Sequence, residues 1–227
     1  MRSLATFGQP HVCKGYTGIL MKDAHPDEIE IIGTGDLIRN KSRINRPFKL
    51  KVEGMMERRE LVPDGIIFDL VLERLRTITD YRKILYLDGF RTVDQLIWLA
   101  RHGLLGNDRS TAILFTARTD VLLARAIHRR DSKPSGPRPD DEKLEENFAA
   151  GQSVFNTAWQ SLEKHLRQNR IPIENVDANG DIVTTVLPQV DALFFQVGSI
   201  PIPRIATNVS RMPKLRRTWR NRAMVYA

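Results

Sequence analysis

"FGQPHVCKG", residues 7–15, is the stretch on which the reading of this chain turns. It follows "SLATF" (3–7), short and apolar like a buried strand, and leads into "YTGILMKDA" (16–24), which has the pattern of a helix. A strand, a tight glycine-bearing turn and a helix set consecutive backbone N–H groups around one concavity at the helix N-terminus. A phosphate is held there by those donors and by the helix dipole. Gly8 permits the turn and Lys14 offers a point charge. The strict phosphate-loop pattern G-x-x-x-x-G-K-[ST] fails at two positions, where Cys13 replaces a glycine and Gly15 a hydroxyl residue. Taken alone, the octapeptide reads equally well as a plain strand-turn-helix corner with a surface lysine.

Outward from this stretch, strands and helices alternate. "IEII" (29–32), "KILYLDG" (83–89), "TAILFTA" (111–117) and "IPIENVD" (171–177) read as further strands. Between them "GDLIRNK" opens a helix at 35, and 47–60 is helical in pattern. "DGIIFDLVLERLRTI" (64–78) forms a helix with Pro63 in its first turn. "TVDQLIWLARHG" (92–103) is a helix closed by Gly103, and "DVLLARAIHRR" (120–130) another. "DSKPSGPRPDD" (131–141) is a Pro/Gly-rich loop, 142–169 a long helix, and "DIVTTVLPQV" (181–190) the last one. Such alternation predicts an α/β fold, a parallel sheet sandwiched by helices. No internal repeat is visible.

At 227 residues, 41% of them hydrophobic and 27% charged, the chain can bury one good core. It has no apolar run long enough to span a bilayer and no secretory start, so a cytoplasmic protein without membrane contact is expected. One cysteine, Cys13, leaves no disulfide framework and no multi-cysteine metal site, so zinc is not expected. The formal net charge is +8, but Arg204, Arg211, Lys214, Arg216, Arg217, Arg220 and Arg222 lie beyond Ala192 with no acid among them. The basicity therefore belongs to the tail. "RMPKLRRTWRNR" (211–222) has the chemistry to hold nucleic acid or an acidic partner through phosphate contacts and stacking. A solvated tail is the favoured reading.

Several separated motifs in register sharpen the picture: "GTGDLIR" (33–39), "RELVPDGIIFDLVLERL" (59–75), "DGFRTVDQ" (88–95), "VLLARAIHRR" (121–130) and "RPDD" (138–141). In this order and spacing the chain, over roughly residues 3–190, resembles the adenylate kinases and their nucleoside monophosphate kinase relatives. The resemblance implies a three-layer α/β/α P-loop kinase fold with a five-stranded parallel sheet. It implies a core over 1–195, an acceptor-binding lobe about 34–64, a short lid loop about 131–141 without zinc, and a basic extension from 196. It also implies a monomeric transferase that uses ATP and Mg²⁺ to phosphorylate a nucleoside monophosphate, AMP first among them. Catalysis of that kind is mostly positioning plus electrostatic stabilisation of the moving phosphoryl group.

Residue by residue, the resemblance gives the ATP phosphates to Gly8, Pro10, His11, Val12, Cys13, Lys14, Gly15 and Tyr16. Thr34, Arg39, Leu61, Val62, Gly89, Arg91 and Gln95 would meet the acceptor, and Asp88 would orient the waters of Mg²⁺. Arg125 and Arg129 would face the transferring phosphate from one helix face, with Arg138 and Asp140–Asp141 in the lid.

Four departures accompany the resemblance. His11 and Cys13 stand where the family has glycines, and Tyr16 where a Ser or Thr offers its hydroxyl to the metal. The proline between Phe90 and Arg91 is missing, and Ala149 in "EENFAAGQ" replaces a second lid arginine. These departures support an alternative, a nucleotide-binding pseudokinase acting as sensor or scaffold.

Overall fold

The computed structural model describes residues 1–57, 60–106, 109–131 and 144–199. Five parallel strands form its sheet: β1 (Arg2–Gly8), β2 (Ile29–Gly33), β3 (Ile84–Asp88), β4 (Ser110–Thr116) and β5 (Ile173–Asp177), in the order β2-β3-β1-β4-β5. The first strand is central, pairing Ala5 with Leu87 on one side and with Ala112 on the other. Eight helices among the described residues connect the strands. These are α1 (Lys14–Ala24), α2 (Thr34–Ile44), α3 (Arg46–Glu57), α4 (Asp64–Leu75), α5 (Val93–Arg101), α6 (Thr119–Asp131), α7 (Leu144–Gln168) and α8 (Leu187–Gly198). A π-helical turn, Ile182–Val186, leads into α8.

The inner strands β1, β3 and β4 are largely apolar on both faces because each face is covered, as a parallel sheet requires, whereas the edge strand β5 buries Val176 alone. Alternate residues of a strand serve opposite cores. Ala5, Phe7, Leu85, Leu87 and Ala112 pack with Val71, Leu96, Leu99, Leu162 and Leu166 of α4, α5 and α7. Leu4, Ile84, Tyr86, Ile113 and Phe115 pack with Met21, Leu122, Ala126, Val190 and Phe194 of α1, α6 and α8. The α/β/α sandwich expected from the sequence is present, and α7 contributes to both cores, Phe148 to one and Phe155 to the other.

Element ends differ in instructive places. Helix α1 starts at Lys14 instead of 16, because the loop closes at Cys13, whose left-handed backbone caps it. Helix α4 stops at Leu75 rather than 78, where Thr77 Oγ1 donates to the Arg74 carbonyl and turns the chain. The last helix runs to Gly198 rather than 190, since Phe194 and Val197 continue the apolar face. The tail beyond Ser199, Arg138, Asp140, Asp141 and the lid loop from 132 lie outside the described residues. No helix among the described residues is long and apolar enough to cross a membrane.

In this order the chain leaves β1 with β3 on one side and β4 on the other, so the connections from their C-terminal ends diverge. The crevice between them is where open α/β sheets bind ligands. The loop of residues 9–13 lies there.

Candidate functional site

The loop is built from backbone conformations that glycine normally supplies. Gly8 has φ +140°, and a Cβ there would sit 2.6 Å from the Phe115 carbonyl oxygen of β4. No other residue fits. His11 (φ 67°) and Cys13 (φ 71°) are left-handed as well, each at a cost of about 1–2 kcal/mol for an L-residue with a Cβ. A histidine and a cysteine thus hold a backbone path suited to glycine and load it with strain. Val12, buried between them, is the anchor.

At the start of α1, Lys14 folds back over the loop. Its Nζ donates to the carbonyls of Gly8 (2.7 Å) and Gln9 (3.1 Å), drawing the two ends of the turn together. Burial lowers its pKa to about 8, with Asp88 opposing the shift and the nearby Arg91 charge adding to it. Cys13 is part-buried beside it; burial raises the thiol pKa, against the charges of Arg125 and Lys14. Asp88, 74 residues away in the sequence, thus shares the first turn of α1 with Lys14.

Asp88 ends β3. Thr6 Oγ1 donates to its Oδ1 (3.2 Å), while its Oδ2 lies 3.4 Å from where a Cβ on Gly15 would be. One carboxylate oxygen is held from β1 and the other overlooks the first turn of α1. Tyr16, which stands where the family's hydroxyl residue is expected, is 50% exposed. The neighbouring Thr17 is buried and its hydroxyl donates to the Cys13 carbonyl (3.1 Å), closing the helix cap. The described residues contain no cluster of three or more His, Cys, Asp or Glu that could cage a metal ion. A single carboxylate bordering a phosphate loop is the donor set that suits Mg²⁺, which keeps most of its waters and leans on substrate phosphates.

Two residues that the sequence reading passed over hold this arrangement. Tyr86 of β3 is fully buried, and its hydroxyl donates to the Lys14 carbonyl (2.7 Å). Burial and the Asp88 charge hold its phenol well above the usual range, so it stays a donor. Gly18 makes room for that ring, since a Cβ there would come within 2.7 Å of Tyr86 Cε1. Its only sequence signal is a glycine inside a helix. The second residue is Asp64 at the start of α4, which accepts from Gln95 Nε2 (2.7 Å) and from Thr92 Oγ1 (3.0 Å).

On the acceptor side, Thr34 donates from Oγ1 to the Gly89 carbonyl (2.9 Å). Gly89, at φ +88°, could carry no side chain, because its Cβ would fall 2.4 Å from that same hydroxyl. Gln95 is buried; its Oε1 accepts from the Arg91 backbone N–H (2.6 Å). The turn that lacks the family's proline is therefore braced by a side chain, and Arg91 itself projects to solvent. Arg39 pairs with Asp36 (2.6 Å) on the exposed side of α2, with its guanidinium over Gly35. Leu61 is exposed, whereas Val62 packs into the core.

Arg125 and Arg129 share one face of α6. Arg125 donates from Nη2 to the Gly180 carbonyl (2.8 Å), which anchors it to the loop after β5, and its Nη1 is buried with no hydrogen-bond partner among the described residues. Arg129 is part-buried one turn further on. Of the expected site residues, Gly8 to Gly15 and Asp88 meet at the first turn of α1, Arg125 is held at Gly180, and Tyr16 and Arg91 are exposed. Thr34 and Gly89 touch one another at the ends of β2 and β3, and Arg39 stands apart on α2.

No protein-family model matches the chain. It is similar to the adenylate kinase of Trichodesmium erythraeum, 29% identical over 191 residues, or 81% of this chain and 93% of that protein. It is also similar to adenylate kinase 1 of a Nostoc species, 34% identical over 149 residues, covering 63% of this chain and 74% of the relative. The adenylate kinase of Mycoplasma mobile is 29% identical over 131 residues, 57% of this chain; that match spans 58% of the relative's length.

Proposed function

Because the chain belongs to the adenylate kinase family, we propose that it transfers the γ-phosphoryl group of ATP to a nucleoside monophosphate, with AMP as acceptor, giving two ADP. The observation that carries this reading is the meeting of Lys14 and Asp88 at the first turn of α1, beside a tight left-handed loop at a helix N-terminus.

In this reading the backbone N–H groups of residues 11–16 and the Lys14 ammonium hold the ATP phosphates. Lys14 exchanges its bonds to the Gly8 and Gln9 carbonyls for phosphate oxygens. Asp88 is the residue that would hold Mg²⁺ through water, and when bound the ion neutralises charge on the β- and γ-oxygens. Arg91 steadies the acceptor phosphate, so that one of its oxygens lies in line with the γ-phosphorus. As the new O–P bond forms, the bond to the β,γ-bridging oxygen breaks and its electron pair leaves with ADP. Charge on the moving phosphoryl oxygens is met by Lys14, Arg125 and Arg129, whose positions are fixed before reaction.

Thr34, Gln95 and the backbone at Leu61 and Val62 bind the acceptor nucleoside, and Arg39 turns from Asp36 to its phosphate. Arg138 and Asp140 join from the lid segment, closure of which keeps water from the γ-phosphate. The working unit is a cytoplasmic monomer.

The test is a coupled assay of ADP formation with Mg·ATP and each of AMP, CMP, UMP, GMP and dTMP, with Lys14→Ala as control. Turnover with AMP that disappears in the variant supports the reading, and turnover only with another acceptor would rename the substrate. Stabilisation by ATP without turnover with any acceptor would overturn it in favour of a nucleotide-binding pseudokinase.

A further inference from the structure

The contacts of α7 with the phosphate loop run in register. Trp159 packs on Phe7 (ring centroids 5.4 Å apart), Asn156 accepts from Gln9 Nε2 (3.2 Å), and Phe148 lies against the His11 ring (5.8 Å). As the loop advances from 7 to 11, its partners retreat along the helix from 159 to 148. Gln152 sits midway, one turn from Asn156 and one from Phe148, on the same face. That position on α7 is level with the middle of the loop, between Phe148 of one core and Phe155 of the other.

Both polar atoms of the Gln152 amide are buried, and neither has a hydrogen-bond partner among the described residues. A buried amide left unpaired on both its donor and its acceptor side is costly, and proteins seldom retain one without a use for it. One turn before it is Ala149, exposed and without charge. Among the described residues, the α7 positions level with the loop, 148, 152, 156 and 159, carry no cation and one unsatisfied amide. On α6, which packs against α7, Arg125 Nη1 is likewise buried and unpaired among the described residues.

We propose that Gln152 is a phosphate-binding residue of this site: its amide N–H donates to a phosphate oxygen of the nucleotide held in the loop, from the α7 side. This rests on the reading of the loop as a nucleotide site. A neutral amide supplies direction without charge, so Gln152 adds affinity and orientation while the formal charge at the phosphates comes from Lys14, Arg91, Arg125 and Arg129.

The experiment compares full-length wild type with Gln152→Leu and Gln152→Glu, measuring thermal stability alone and calorimetric affinity for Mg·ATP, tripolyphosphate and adenosine. Leucine keeps the bulk and removes a buried amide that has no partner, so the unliganded Tm should hold or rise. The proposal expects Mg·ATP and tripolyphosphate to bind about tenfold more weakly to Gln152→Leu, the size of one hydrogen bond to a charged group, with adenosine unaffected. Glutamate, isosteric and anionic, should weaken both further; should it fail to fold, the leucine variant decides alone. Unchanged phosphate affinity in Gln152→Leu, as for an amide that merely holds an internal water, overturns the proposal, and so does a loss confined to adenosine. Wild type that binds neither Mg·ATP nor tripolyphosphate would instead overturn the reading of the loop itself, and this inference with it.

Discussion

Replacing Cys13 by glycine should stabilise the protein and tighten its loop around phosphate, and the size of the effect follows from one backbone angle. Cys13 sits at φ 71° and ψ 15°, with no hydrogen bond from its side chain to cap α1. Its thiol makes only a long contact with the His11 carbonyl (3.6 Å). A left-handed L-residue carries about 1–2 kcal/mol of strain, which glycine does not. Glycine in turn has more freedom to lose on folding, worth about 0.5–1 kcal/mol. The net gain is about 0–1.5 kcal/mol, which for a domain of this size raises Tm by up to about 6 °C. Removing the Cβ also frees space beside the loop N–H groups, so the ATP affinity of Cys13→Gly should increase. Melting curves by circular dichroism and a titration with Mg·ATP check both effects. The decisive control is Cys13→Ala, which discards the thiol but keeps the Cβ and hence the strain. A rise in Tm as large in the alanine variant as in the glycine variant would refute the backbone argument and assign the gain to the buried thiol.

Two further outcomes are expected. Lys14, lowered to about 8 from an ordinary value near 10.5, loses its proton in the folded protein while the unfolded chain still holds it. Thermal stability of the unliganded protein should therefore gain a component as pH rises from about 8 to about 10.5, absent in Lys14→Met. Phosphate favours the charged lysine, so ATP affinity should fall as pH rises through about 8, with proton uptake on binding at that pH. Calorimetry in two buffers of different ionisation enthalpy that detects no uptake would contradict the assignment. Gly18→Ala would drive a methyl group to within 2.7 Å of the buried Tyr86 ring, which overpacks the α1–β3 contact at a cost of about 1–3 kcal/mol. A Tm within 1 °C of wild type, measured by the same melting curves, would mean that α1 shifts freely on β3.

Much of this molecule is legible in one dimension. The α/β sandwich follows from short apolar runs of strand length alternating with helical periodicity, clearest in β1, β3 and β4, because a sheet covered on both faces leaves little room for polar residues. The strand-turn-helix corner is readable from Gly8 and Lys14, and its strained backbone from the resemblance that puts His11 and Cys13 at glycine positions. What the sequence could not disclose depends on partners far apart in the chain. Tyr86 reads as one more apolar strand residue until β3 comes to lie under α1 and its hydroxyl meets the Lys14 carbonyl, 72 residues away. Asp64 reads as an ordinary first-turn carboxylate until Gln95 and Thr92 reach it from α5 and the turn before it. Gln152 has no pattern at all; only the packing of α7 across the loop turns it into a buried amide without a partner among the described residues. Backbone preference and hydrophobic periodicity act between near neighbours and are written in the sequence. Hydrogen-bond satisfaction and burial are properties of an atom's surroundings in space, and the folded chain alone decides them.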